Sequence, residues 1–125
     1  MKSQTINVAW IGPSMNRIWS GVHWSKRKNF ADEAHTAVAI AVKQQKIQPF
    51  PGAVELEVTP IHSGRHYDVS NYSLTCKAIE DGLVECGVLV GDSPRFVRKV
   101  SYFAPERPID RSQGDCMRIR IIECE

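Results

Sequence analysis

HYDVSNYSLTCKAIEDGLVECGVLVGDS, residues 66–93, holds one helical stripe flanked by two acidic loops. Tyr72, Cys76, Ile79, Leu83 and Cys86 recur at alternating steps of four and three, so they share one face of a helix running from about Asn71 to Glu85. Gly87 follows the last of them and terminates the helix, in keeping with the preference of glycine for positions just past a helix end. Asp68 precedes the helix, and Asp92, just after Gly91, follows it in a turn with Ser93 and Pro94.

The neighbours of this helix set the fold class. Upstream, Val54, Leu56 and Val58 alternate with Glu55, Glu57 and Thr59, the pattern of a half-buried strand, whose exit is the polar stretch 61–67. Downstream, strands are expected near Phe96–Phe103 and Met117–Ile122, the second alternating Met117, Ile119 and Ile121 with Arg118 and Arg120. At the N-terminus, TINVAWI (residues 5–11) reads as a strand ending at Gly12-Pro13-Ser14. Residues 15–28 lack a clean period and read as a long loop. Phe30, Ala34, Ala37, Val38, Ala41 and Val42 then mark a first helix over about 29–46. The expected architecture is therefore α/β (α+β): one small domain over 1–125, a mixed sheet with two main helices in the order β-α-β-α-β-β.

A chain of 125 residues with 42% hydrophobic content can bury a real core. It has neither a charged-then-apolar leader nor an apolar run near the roughly 20 residues that a membrane helix needs, so a cytoplasmic protein without a membrane partner is expected. Cys76, Cys86, Cys116 and Cys124 are too widely spaced for a zinc knuckle or a dense disulfide framework, and read as reduced, mostly buried thiols. A net charge of +2 does not argue for nucleic acid by itself. The local clusters Lys26, Arg27, Lys28 and Arg95, Arg98, Lys99, with Arg65 near the quoted stretch, say more. No HxH or HExxH pattern occurs among His23, His35, His62 and His66. Trp10 reads as core, and Trp19 and Trp24, in the long basic loop, are placed to stack on unpaired bases.

Lys77 and Asp81 lie one turn apart on the second helix, off its buried face, where both can point towards Asp68 and Asp92. Phosphodiester cleavage requires an activated water and neutralised phosphate charge; carboxylates holding Mg²⁺ supply both, and a lysine beside them steadies the developing charge. The same residues also read as ordinary structure: Asp68 in a turn, Ser70 as a helix cap, Lys77 and Asp81 as a surface pair.

The order of short motifs resembles the RusA-type Holliday junction resolvases, in which a DxDN element precedes a lysine, a D-(A/G)-L helix, a glycine-hydrophobic stretch and a paired-Asp turn. Here these stand as Asp68-Val69-Ser70-Asn71, Lys77, Asp81-Gly82-Leu83, Gly87-Val88-Leu89-Val90 and Gly91-Asp92-Ser93, and Pro13-Ser14-Met15-Asn16-Arg17 resembles the PxSxN element of that family. The similarity spans about residues 5–103. It implies a structure-specific, Mg²⁺-dependent endodeoxyribonuclease, with Mn²⁺ as a substitute and no small-molecule cofactor, acting as a homodimer on four-way DNA. Asp68 and Asp92 match metal-binding and catalytic aspartates and Lys77 the catalytic lysine. Ser70 stands where the family has its second metal-binding aspartate and Gly91 where the paired turn has its first, and the stretch from Asn71 to Lys77 is longer than in the best-known members. Asp81, Glu80 and His66 are candidates to compensate. Asn16, Arg17, Lys26, Arg27, Arg65 and Arg95 are the expected DNA contacts. Two other readings stay open: a RusA-like branched-DNA-binding protein with weakened or lost catalysis, and an unrelated α/β interaction protein whose Asp and Lys residues are structural.

Overall fold

In a computed structural model of the chain, the alternating apolar stretches form a four-stranded sheet in which the first strand pairs with the fourth, the fourth with the second and the second with the third. The structure describes residues 2–12, 24–64, 66, 68–109, 112 and 114–125; the side chains of residues 24–27 and of Ser70 lie outside that description. The elements are β1 (Ser3–Val8), α1 (Trp24–Gln45), β2 (Val54–Ile61), a 3₁₀ turn (Val69–Tyr72), α2 (Ser73–Glu85), β3 (Val97–Tyr102) and β4 (Cys116–Glu123). The order β-α-β-α-β-β and the mixed sheet agree with the sequence reading.

β4 runs antiparallel to both β1 and β2, pairing Ile6 with Ile119 on one side and Ile119 with Val58 on the other. β2 and β3 are parallel, with a register irregularity at Val54/Glu55, so the connection carrying α2 is a β-α-β crossover. Ile6, Val8, Val54, Leu56, Val58, Met117, Ile119 and Ile121 all point into one core cluster. Val38 and Ala41 of α1 and Cys76, Ile79 and Leu83 of α2 close that cluster from the helical side. The opposite sheet face is polar, and on it the register partners Glu57 and Arg120 form an ion pair at 3.0 Å. Strands with one wet face alternate, which is why their pattern was legible.

Two side-chain clamps tie the chain to the β1 strand. The Gln45 side chain at the end of α1 donates to the Asn7 carbonyl at 2.7 Å and accepts from the Asn7 amide at 2.9 Å. Gln4 and the backbone of Gln48 exchange a second such pair at 2.8 and 2.7 Å. The Gln45 amide thus occupies the Asn7 backbone groups that the β1 edge otherwise offers to other chains.

Three local readings differ from the structure. α1 begins at Trp24, so residues 24–28 are helix rather than loop; the sequence there, WSKRK, carries no apolar period by which a helix could be read. β1 ends at Val8 rather than Ile11, because the Trp10 amide turns back to the Val8 carbonyl at 2.8 Å. Cys86, placed by spacing on the buried stripe, is exposed, since the chain leaves the helix there. All four cysteines are free, with Cys76 and Cys116 buried. Among the described residues no helix is long and apolar enough to cross a membrane.

Candidate active site

The end of α2 is built to return the chain beside its own surface. Gly87 takes φ +79, its amide donates to the Val84 carbonyl at 3.0 Å, and the Val88 amide reaches the Leu83 carbonyl at 2.9 Å. This is a Schellman closure, with the accompanying apolar contact supplied by buried Val88 and Leu83. The Phe50 amide donates to the Val88 carbonyl at 2.8 Å and fixes the exit direction. A turn then accepts the Phe96 and Val97 amides on the Ser93 carbonyl, both at 2.9 Å, and leads into β3.

The consequence is a convergence that spacing alone does not show. Lys77 Nζ donates to Asp92 Oδ2 at 2.7 Å, and lies 3.0 Å from Asp81 Oδ1 and 3.6 Å from Glu80 Oε2. Three carboxylates thus face one ammonium, leaving two negative charges in surplus when all are ionised. The hydrogen bond to Asp92, ahead of the opposing effect of burial, raises the Lys77 ammonium above its ordinary value, so the amine stays charged. The same bond lowers the Asp92 carboxyl below its usual range. Burial raises the Glu80 carboxyl, while Lys77 acts against that rise. Beside Glu80, Cys76 hydrogen-bonds Tyr102 of β3, and burial pushes the Cys76 thiol up to about 11. A cavity of about 170 Å³, lined by Trp10, Phe30, Leu74 and Ala78, opens next to Lys77 and Asp81.

The structure therefore brings Lys77, Asp81 and Asp92 together and adds Glu80 and Tyr102. Glu80 carried a detectable signal, its i,i+3 spacing from Lys77. Tyr102 had none, because only the parallel pairing of β3 beside β2 brings it to α2. Asp68 is exposed, and its carbonyl accepts the Asn71 amide at 2.8 Å at the start of the 3₁₀ turn. Arg95 is exposed, its guanidinium 5.4 Å from the centre of the Phe96 ring. His66 engages His62, its Nε2 3.0 Å from the His62 carbonyl oxygen. Asn16, Arg17 and Arg65 lie outside the described residues, as do Trp19 and the side chains of Trp24, Lys26, Arg27 and Ser70.

A Cβ at Gly91 would stand 3.1 Å from Phe96 Cδ2, so the Phe96 ring packs where the paired acidic turn of the RusA pattern has a side chain. Among the described residues no three His, Cys, Asp or Glu side chains form a group able to hold a metal ion. The donor chemistry at this end of α2 nevertheless suits a hard cation, because Mg²⁺ is commonly held by one or two carboxylates completed by substrate phosphates. Compared with protein-family models the chain matches none, and no curated protein matches it.

Proposed function

We propose that the chain is a RusA-type endodeoxyribonuclease that nicks branched DNA with Mg²⁺, with Asp68 and Asp92 as metal ligands and Lys77 as the catalytic cation. The observation that carries this reading is the 2.7 Å pair between Lys77 and Asp92, fifteen residues apart in sequence and held at the surface by the closure of α2. A charged amine beside an ionised, exposed carboxylate is the pairing that phosphodiester hydrolysis uses. The carboxylate contributes oxygen to the cation, and the amine donates to a phosphate oxygen as charge develops on it. Bound Mg²⁺ supplies water activation and phosphate neutralisation. The two surplus negative charges draw a cation to the site, and phosphate then has both the cation and Lys77 to meet.

Asn16, Arg17, Lys26, Arg27, Arg65 and Arg95 carry the phosphate contacts, with Ser70 as a hydroxyl ligand or water-holding group. A four-way junction presents two equivalent strands, which a twofold homodimer cuts symmetrically. Free thiols suit a cytoplasmic site of action.

A second reading is favoured by one observation: the Phe96 ring against Gly91 leaves little room for the missing acidic side chain. On that reading the protein binds branched DNA and has lost cleavage.

The deciding experiment is cleavage of an end-labelled four-way junction, with linear duplex as control, in Mg²⁺ and in Mn²⁺, beside Asp68→Asn and Asp92→Asn. Symmetric, metal-requiring nicks lost in both variants are expected. Salt-sensitive junction binding with no cleavage in either metal selects the second reading, and no preference for junction over duplex overturns both.

A further inference from the structure

We propose that Glu80 is a positioning residue that keeps Lys77 Nζ at the site while Asp92 is turned towards a cation; the inference rests on the nuclease reading of this same site. Asp92 and Asp81 hold Lys77 from the solvent side, their side chains 48% and 41% exposed, whereas the Glu80 side chain is 11% exposed. Water and ions compete for the first two and are largely excluded from the third. Once Asp92 serves as a ligand, Lys77 loses its shortest contact and keeps Asp81 at 3.0 Å, a 41% exposed carboxylate for which water and ions compete, so the flexible four-carbon stem is held only loosely from the solvent side. Glu80 Oε2, 3.6 Å from Nζ and 11% exposed, is the remaining charge that is shielded from solvent.

The surroundings of Glu80 support this role. It is 9% exposed and sits on α2 close enough to the hydrogen-bonded Cys76 and Tyr102 for its charge to act on both groups. Burying a carboxylate is costly unless a cation meets it, and an uncharged isostere at that depth is the less expensive choice for folding alone. A carboxylate kept there and aimed at the single amine of the site is accounted for by what it does to that amine.

The test compares acylation of Lys77 by acetic anhydride, read by peptide mass spectrometry, in the full-length protein and in Asp92→Asn, Glu80→Gln and the double variant. Asp92→Asn stands in for an Asp92 that has let go. Each single variant is expected to raise Lys77 labelling by less than about twofold, and the pair together by about tenfold, because either Asp92 or Glu80 holds the amine whereas the solvent-exposed Asp81 alone does not. Glu80→Gln should unfold at the same temperature as the parent or higher, and Glu80→Asp, one methylene too short to reach, should behave as Glu80→Gln does in labelling. A double variant no more reactive than the singles, or a Glu80→Gln that loses stability while Lys77 labelling stays put, overturns the proposal in favour of a structural Glu80. In junction cleavage, Glu80→Gln should lower kcat about tenfold with KM unchanged. A parent protein that never cleaves refutes the nuclease reading, and the labelling result then decides Glu80 on its own.

Discussion

His62 Nε2 and the Tyr72 hydroxyl meet at 2.6 Å inside the protein, joining the residue just past β2 to the last residue of the 3₁₀ turn. The contact closes the loop that carries Asp68, and both side chains are buried.

Burial, then the neighbouring His66 and Arg107, lower the His62 imidazole from its ordinary value near 6.5, with Asp115 opposing them. The unfolded chain therefore binds this proton more readily than the folded one. Stability attributable to His62 is complete above about pH 6.5 and declines as pH falls below it, towards the lower folded value. Thermal unfolding should show Tm dropping between about pH 7 and about pH 5, and His62→Gln should flatten that drop. Tyr72→Phe should cost about 1–3 kcal/mol at neutral pH by leaving a buried polar partner. A pH profile identical in His62→Gln and the parent would show that other groups govern it.

Gly82 of α2 packs directly against Val38 of α1. A Cβ there would lie 3.1 Å from Val38 Cγ2 and 3.2 Å from Val38 Cβ, and Val38 is fully buried. Helix propensity favours Gly82→Ala by about 1 kcal/mol, while overpacking a fixed contact costs about 1–3 kcal/mol. Net destabilisation is expected in urea unfolding, and the double variant Gly82→Ala/Val38→Ala should be more stable than the two single losses summed. Strictly additive losses would argue that the helices slide apart instead.

The thiols should separate kinetically. Cys86 is exposed, whereas Cys76 is 3% exposed with a thiol pushed up to about 11, so roughly one Cys76 in a thousand is ionised at pH 8. Iodoacetamide is expected to label Cys86 first and to reach Cys76 only on unfolding. Comparable rates at both sites in native protein would contradict the packing of α2 described above.

Asp92→Asn removes an exposed partner of Lys77 and should leave Tm nearly unchanged; on the proposed nuclease reading it also abolishes junction cleavage. On the proposed nuclease reading, Ser70→Asp, which adds a charged oxygen donor, should raise cleavage and lower the Mg²⁺ concentration it requires. Loss of activity on Ser70→Asp would place Ser70 outside the metal shell.

Much of the fold was legible because burial on one face writes itself into periodicity. Ile6, Val8, Met117, Ile119 and Ile121 alternate with polar residues, and Cys76, Ile79 and Leu83 recur at helical steps, since each element has one dry side. Lys77, Asp81 and Asp92 were also legible as residue types standing off that dry side. Helix limits were less so: the apolar period of the first helix is readable only from Phe30 onward, and the sequence of residues 24–28 carries no period that separates helix from loop. What only the tertiary structure decided was adjacency. The Schellman closure at Gly87 and the Ser93 turn bring Asp92 to Lys77, and the parallel crossover brings Tyr102 to Cys76, because contacts between distant residues are set by how the core closes. The depth of Glu80 was decided in the same way: a carboxylate one step off the apolar stripe looks exposed in sequence, and is 9% exposed in the folded chain.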